Sequence, residues 1–186
     1  MIKVFKNQFN WYLIIILSIL YPLCFLFAYP LSMILSPDSI SYINGSNMAT
    51  PYFVSLIDIL MHIEGFFYKD KIVFLKYLTI LIYAFAVFLI SKSFYQNKKK
   101  YISVIIIPIL WSVGFFTKYF NYILTDGISG ALILLSFGAF LNLSINKRCN
   151  FYYYLFLISC ILICFIRPAL IIFFVIPVLI FFKKDL

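Results

Sequence analysis

Apolar positions along this chain come in long unbroken blocks, not in the alternating pattern of strands or the one-sided stripe of a surface helix. The blocks run from Trp11 to Leu35, Ile72 to Ile90, Tyr101 to Phe116, Gly127 to Ile145, Phe151 to Ile166 and Ala169 to Phe182. At 1.5 Å per residue the first reaches about 37 Å, enough to cross a hydrocarbon layer of about 30 Å with tilt. It is also far longer than the apolar part of a secretory signal, which spans roughly 7–15 residues. Pro22 and Pro30 are expected to kink it. The third, fifth and sixth blocks are short, and aromatics such as Tyr119, Phe120, Tyr152 and Tyr153 would complete them at the membrane interface. The pattern predicts an all-α polytopic membrane protein: a single transmembrane domain over 1–186, with six helices at 11–35, 72–90, 101–116, 127–145, 151–166 and 169–182. Arg167-Pro168 reads as a tight turn between the last two, because proline suits the first position of a new helix.

The connection 36–71 is the longest between blocks and is too apolar for a solvated loop. From Pro51 it reads as an amphipathic helix lying in the membrane interface, capped by Thr50, with Ser55, Asp58 and His62 on one stripe among Phe53, Val54, Leu56, Ile57, Leu60 and Met61.

Composition agrees with this reading. The chain is 65% hydrophobic and only 11% charged, against roughly 25% charged in an ordinary soluble domain, which excludes that class. Its net charge of +9 would raise the question of nucleic acid in a polar chain, but here there is too little polar surface, and no nucleic-acid partner is expected. Positive charge marks cytoplasmic loops instead. With the N-terminus inside, Lys3, Lys6, Lys92, Lys98, Lys99, Lys100, Lys147, Arg148, Lys183 and Lys184 all fall on the inner side, ten of the 15 basic residues. Lys69, Lys71, Lys76, Lys118 and Arg167 fall outside, with Asp38, Asp58, Glu64, Asp70 and Asp126. Both termini are therefore expected in the cytoplasm. Cys24, Cys160 and Cys164 lie within apolar blocks and read as packing residues. Asp58 and His62 share a helical face but Glu64 is displaced from it, so no metal site is expected.

Three residues stand out for chemistry. Asp38, in Ser36-Pro37-Asp38-Ser39, is either a first-turn acid of a short helix or a carboxylate able to take a proton from an attacking hydroxyl. Asp126 follows Thr125, a candidate cap, at the outer end of the fourth helix; it is either a first-turn acid or a functional carboxylate at membrane depth. Behind it Gly127, Gly130, Ala131 and Gly138 would let another helix approach closely. Arg167 lies outside, against the positive-inside trend. It either reaches lipid headgroups from a turn or binds a phosphate through its planar fork of donors. Lys118 is a second candidate for that phosphate. The sequons at Asn44 and Asn142 are common by chance, and only the first is expected outside.

The order of these features resembles the N-terminal part of the GT-C membrane glycosyltransferases, in the branch of protein O-mannosyltransferases and the aminoarabinose transferases of lipid A. The features are one helix, an outer loop with Pro37-Asp38-Ser39 and Tyr42, an interfacial helix after Thr50-Pro51, Thr125-Asp126 before a helix, and Arg167-Pro168 between two. The resemblance covers the whole chain through short motifs. It implies transfer of a sugar from a polyprenyl-phosphate donor to an envelope glycan, glycolipid or protein on the outer face of a bacterial inner membrane. The lipid-linked sugar is a substrate, and no cofactor or metal is implied. Asp38 would match the acidic residue that deprotonates the acceptor, Asp126 an acid before the fourth helix, and Arg167 a cation near the donor phosphate. Lys118 and Tyr42 would join the substrate site. In relatives a second acidic residue often follows the first-loop Asp; here Ser39 stands there. These enzymes ordinarily continue into further helices, so the 186 residues correspond to the first part of a larger design. The alternative is a non-enzymatic membrane component, a flippase-like or transporter subunit, as a homo- or hetero-oligomer. The two separate on geometry: an enzyme gathers Asp38, Asp126 and Arg167 at one outward-facing place, a transporter spreads charge through the depth of its bundle.

Overall fold

The computed structural model describes residues 2–28, 55, 68–112, 125–146, 150–170, 172 and 175. Among these the regular structure is helical: α1 (Ile2–Ala28), α2 (Tyr68–Gln96), α3 (Lys100–Ser112), α4 (Thr125–Ile145) and α5 (Asn150–Ile166), then a 3-10 turn at Pro168–Leu170. The 22 residues Leu75–Gln96 of α2 and the 20 residues Asp126–Ile145 of α4 are long and apolar enough to cross a membrane, and the apolar parts of α1, α3 and α5 are shorter. The expected sixth helix, the interfacial helix from Pro51 and most of the 36–71 connection lie outside the described residues.

Helix bounds depart from the apolar blocks where polar residues are helical too. The first helix starts at Ile2, not Trp11, and α2 extends from Tyr68 to Gln96. Past Ile90 the polar residues are absorbed by hydrogen bonds: Ser93 Oγ donates to the Ile90 carbonyl at 2.7 Å, and Ser91 Oγ donates to the carbonyl of Ser103 on α3. Pro22 and Pro108 sit inside helices, each removing one backbone donor. Near the end of α3, where carbonyls lack helical partners, Tyr83 Oη donates to the Leu110 carbonyl at 2.5 Å.

Contacts fix the direction of every helix. Asn142 of α4 meets the Leu89 carbonyl of α2 and Asn146 meets Gln96, while Leu75 shares a core with Ile128 near the opposite ends; α2 and α4 are parallel. Tyr152 at the start of α5 meets Lys92, so α5 runs against both. Trp11 stacks on Phe88 and Tyr95, and Phe25 on Trp111, which sets α1 against α2 and along α3. Successive helices thus alternate in direction, and α2 lies between α1 and α3 on one side and α4 on the other. One end of the bundle carries Trp11, Tyr95, the turn at 97–99 and Tyr152. The other carries Phe25, Lys76, Trp111, Asp126 and Arg167.

The interior is not the most apolar part. Ser91, Ser103, Ser129, Ser136, Asn142 and Ser159 are buried, while Ile16, Ile19, Leu81, Ile105, Ile109, Phe137, Ile158, Leu162 and Phe165 are exposed. At the tightest contact, a Cβ placed on Gly138 would stand 3.0 Å from Leu89 Cβ and 3.2 Å from the Ala86 carbonyl oxygen. Asn142 holds the same interface, donating from Nδ2 to the Leu89 and Gly138 carbonyls, each at 2.8 Å. Its complete burial leaves the second sequon no access to a modifying enzyme.

Candidate functional site

The first turn of α4 and the turn after α5 are brought together because the two helices run antiparallel. Helix α4 begins at Thr125 with Asp126 as the acid of its first turn, favourable at the positive end of the helix dipole. Arg167 follows the last residue of α5. Its N–H donates to the Ile163 carbonyl and its own carbonyl accepts from Leu170, both at 2.9 Å, so Arg167 is held between the end of α5 and the 3-10 turn Pro168–Leu170. There Arg167 Nη1 pairs with Asp126 Oδ1. The members of this ion pair are 43% and 38% exposed, so the pair is reachable from outside the bundle.

Lys76, expected on the outer side within the second apolar block, lies inside α2 and is 1% exposed. The fifty-residue offset set by the Gln96–Asn146 contact places it at the level of Asp126. The signal was present, since Lys76 falls four residues into the block that starts at Ile72. At the other end Lys92, also within α2, donates to the Tyr152 hydroxyl at 2.7 Å.

Two of the sequence candidates, Asp126 and Arg167, therefore meet. Asp38, Tyr42 and Lys118 lie outside the described residues, as do Asp58, His62 and Glu64. Among the described residues no group of His, Cys, Asp and Glu is arranged to hold a metal ion, and Cys24, Cys160 and Cys164 are not in disulfides. Chemically, the pair sets a carboxylate oxygen against one arm of a guanidinium fork. The guanidinium has five N–H donors in all, more than one carboxylate oxygen uses, so it suits an oxyanion as a second partner. The chain matches no family model, no curated protein and no solved structure.

Proposed function

We propose that the chain is an integral-membrane helical bundle acting as a GT-C-type glycosyltransferase, which takes a sugar from a polyprenyl-phosphate donor at the Asp126 end. The observation that carries the reading is the meeting of Asp126 and Arg167 at one reachable end, where a lipid phosphate and a polar acceptor would both arrive. Embedding is supported by the apolar outer surface and the serine- and asparagine-bearing interior, the distribution expected where the surroundings are as apolar as the side chains. In this scheme Arg167, with Lys118, neutralises charge developing on the departing phosphate, while Asp38 accepts the proton of the attacking hydroxyl and Tyr42 lines the substrate site. Asp126 orients Arg167 and is not itself a base, a change of role that its ion pair favours.

A second reading has an observation of its own. The Asp126–Arg167 pair also suits a structural clasp in a non-enzymatic subunit, since it joins two helix ends. Assaying transfer from a radiolabelled polyprenyl-phosphate sugar, with donor binding read in parallel, separates the two. The enzyme reading expects turnover by the wild type, a loss of about 10²–10⁴-fold on Asp38→Asn as general-base catalysis is removed, and weakened donor binding on Arg167→Gln. Equal turnover in wild type and Asp38→Asn removes Asp38 as the base; undiminished donor binding in Arg167→Gln leaves the clasp.

A further inference from the structure

At the end of the bundle opposite Asp126, α2 is joined to α3 by a turn made of lysines. The Lys99 N–H donates to the Phe94 carbonyl at 3.0 Å and the Lys98 N–H to the Tyr95 carbonyl at 3.1 Å, the paired closing bonds of a Schellman motif. The residue between them that must turn left-handed is ordinarily glycine; here it is Lys98, at φ 63°. Lys98 and Lys99 are exposed. Lys100 begins α3 with its ammonium 5.9 Å from the Tyr95 ring centroid, and the Lys92 ammonium sits 5.4 Å from the Tyr152 ring. Beside this cluster, Tyr101, Phe151 and Tyr154 are exposed, at 69%, 56% and 58%, and next along the same outer faces come Ile102, Ile105 and Ile158, exposed as well. No acidic residue lies at this end among the described residues.

We propose that this end is a docking surface for the headgroups of anionic phospholipids. The order along the bundle is that of a bilayer boundary: aliphatic side chains for the acyl layer, then aromatic rings for the glycerol region, then ammonium groups at phosphate height. Charge complementarity selects the lipid. A zwitterionic headgroup offers a phosphate screened by its own cation, whereas an anionic one offers net negative charge to several lysines at once. Each lysine near such a surface is worth roughly fivefold in binding, so the three of the turn together amount to roughly a hundredfold. A lysine at the left-handed position keeps a charge at the apex of the turn, where glycine would be easier for the backbone. The proposal rests on the embedding part of the function proposed above, and is independent of sugar transfer.

The test uses the full chain, first in membranes and then purified in mild detergent. Resistance to alkaline extraction is scored first; a chain that washes off overturns embedding and this proposal together. For an inserted chain, phosphatidylglycerol and phosphatidylcholine are titrated separately and bound lipid is counted by native mass spectrometry. We expect the wild type to prefer phosphatidylglycerol. Lys98→Gly, which suits the left-handed turn and so retains the fold, is expected to lower that preference about fivefold, and Lys98→Gly/Lys99→Gln/Lys100→Gln to abolish it. Added salt should weaken the preference in the wild type. An unchanged preference in the triple variant, or one insensitive to salt, overturns the docking surface while leaving embedding standing.

Discussion

Lys98 and Arg167 show how single residues carry opposite costs here. A left-handed backbone at a residue with a Cβ costs about 1–2 kcal/mol, so Lys98→Gly is expected to stabilise the chain by about 1 kcal/mol, read as a shift in its unfolding midpoint in detergent. The Asp126–Arg167 pair is partly exposed, and pairs open to solvent contribute little, about 0–1 kcal/mol. Accordingly Arg167→Gln should cost less than about 1 kcal/mol of stability while weakening donor binding. The exchanged double variant Asp126→Arg/Arg167→Asp is expected to recover the stability and not the donor binding; recovery of both would mean that the positions matter only as a clasp. The sequence marked these two residues separately, one as an acid at a helix start and one as a cation on the wrong side of the charge bias. The alternation of crossings put both on the outer side; the direct pairing was not legible, because it depends on the turn after α5 setting Arg167 over the first turn of α4. Lys76 was legible as an outer-side residue of the second helix; its burial was not, because that depends on which face of α2 packs inward.

At the scale of elements, the apolar blocks located all five described helices, and their errors have one cause. A hydropathy boundary stops at the first polar residue, while a helix continues wherever a serine hydroxyl can return to a carbonyl, as Ser93 does to Ile90. The small residues of α4 were legible as a place of close approach, and Gly138 fulfils that expectation against Ala86 and Leu89. What periodicity could not supply was the partner, a parallel helix reached only after α3 intervenes. Gly138→Ala tests the contact. The added methyl would meet a Cβ and a backbone oxygen, neither of which can rotate away, so α2 and α4 must separate at a cost of about 1–3 kcal/mol. Asn142→Leu removes the hydrogen bond to the Leu89 carbonyl and is expected to cost about 0.6–1.7 kcal/mol, the range for interhelical bonds in membranes. Both are measured as unfolding midpoints against the wild type, and a neutral Gly138→Ala would show that the two helices do not pack at this distance.

For the whole molecule the deciding question is which solvent faces its outer surface. In water, a bundle exposing Ile16, Ile19, Ile105, Ile109, Ile158, Leu162 and Phe165 would leave a broad apolar surface against solvent, since those side chains gain nothing by remaining outside. In hydrocarbon the same arrangement is favoured: the outer residues meet acyl chains, and the Ser91 and Ser136 hydroxyls and the Asn142 Nδ2 donate to carbonyls across or along helices. Cysteines introduced one at a time make this measurable, each followed by the mass of its own peptide so that the native thiols do not interfere. A maleimide is attacked by the thiolate, which forms in water and not in hydrocarbon. In intact membranes Lys99→Cys is therefore expected to react with a charged maleimide, and from one side of the membrane only, which reads out the orientation of the lysine end. Ile105→Cys and Ile158→Cys are expected to resist the same reagent until the chain is unfolded in dodecyl sulfate. Equal labelling of all three in intact membranes would place the aliphatic surface in water, and with it would fall both the embedding of the bundle and the docking of anionic lipid at its lysine end.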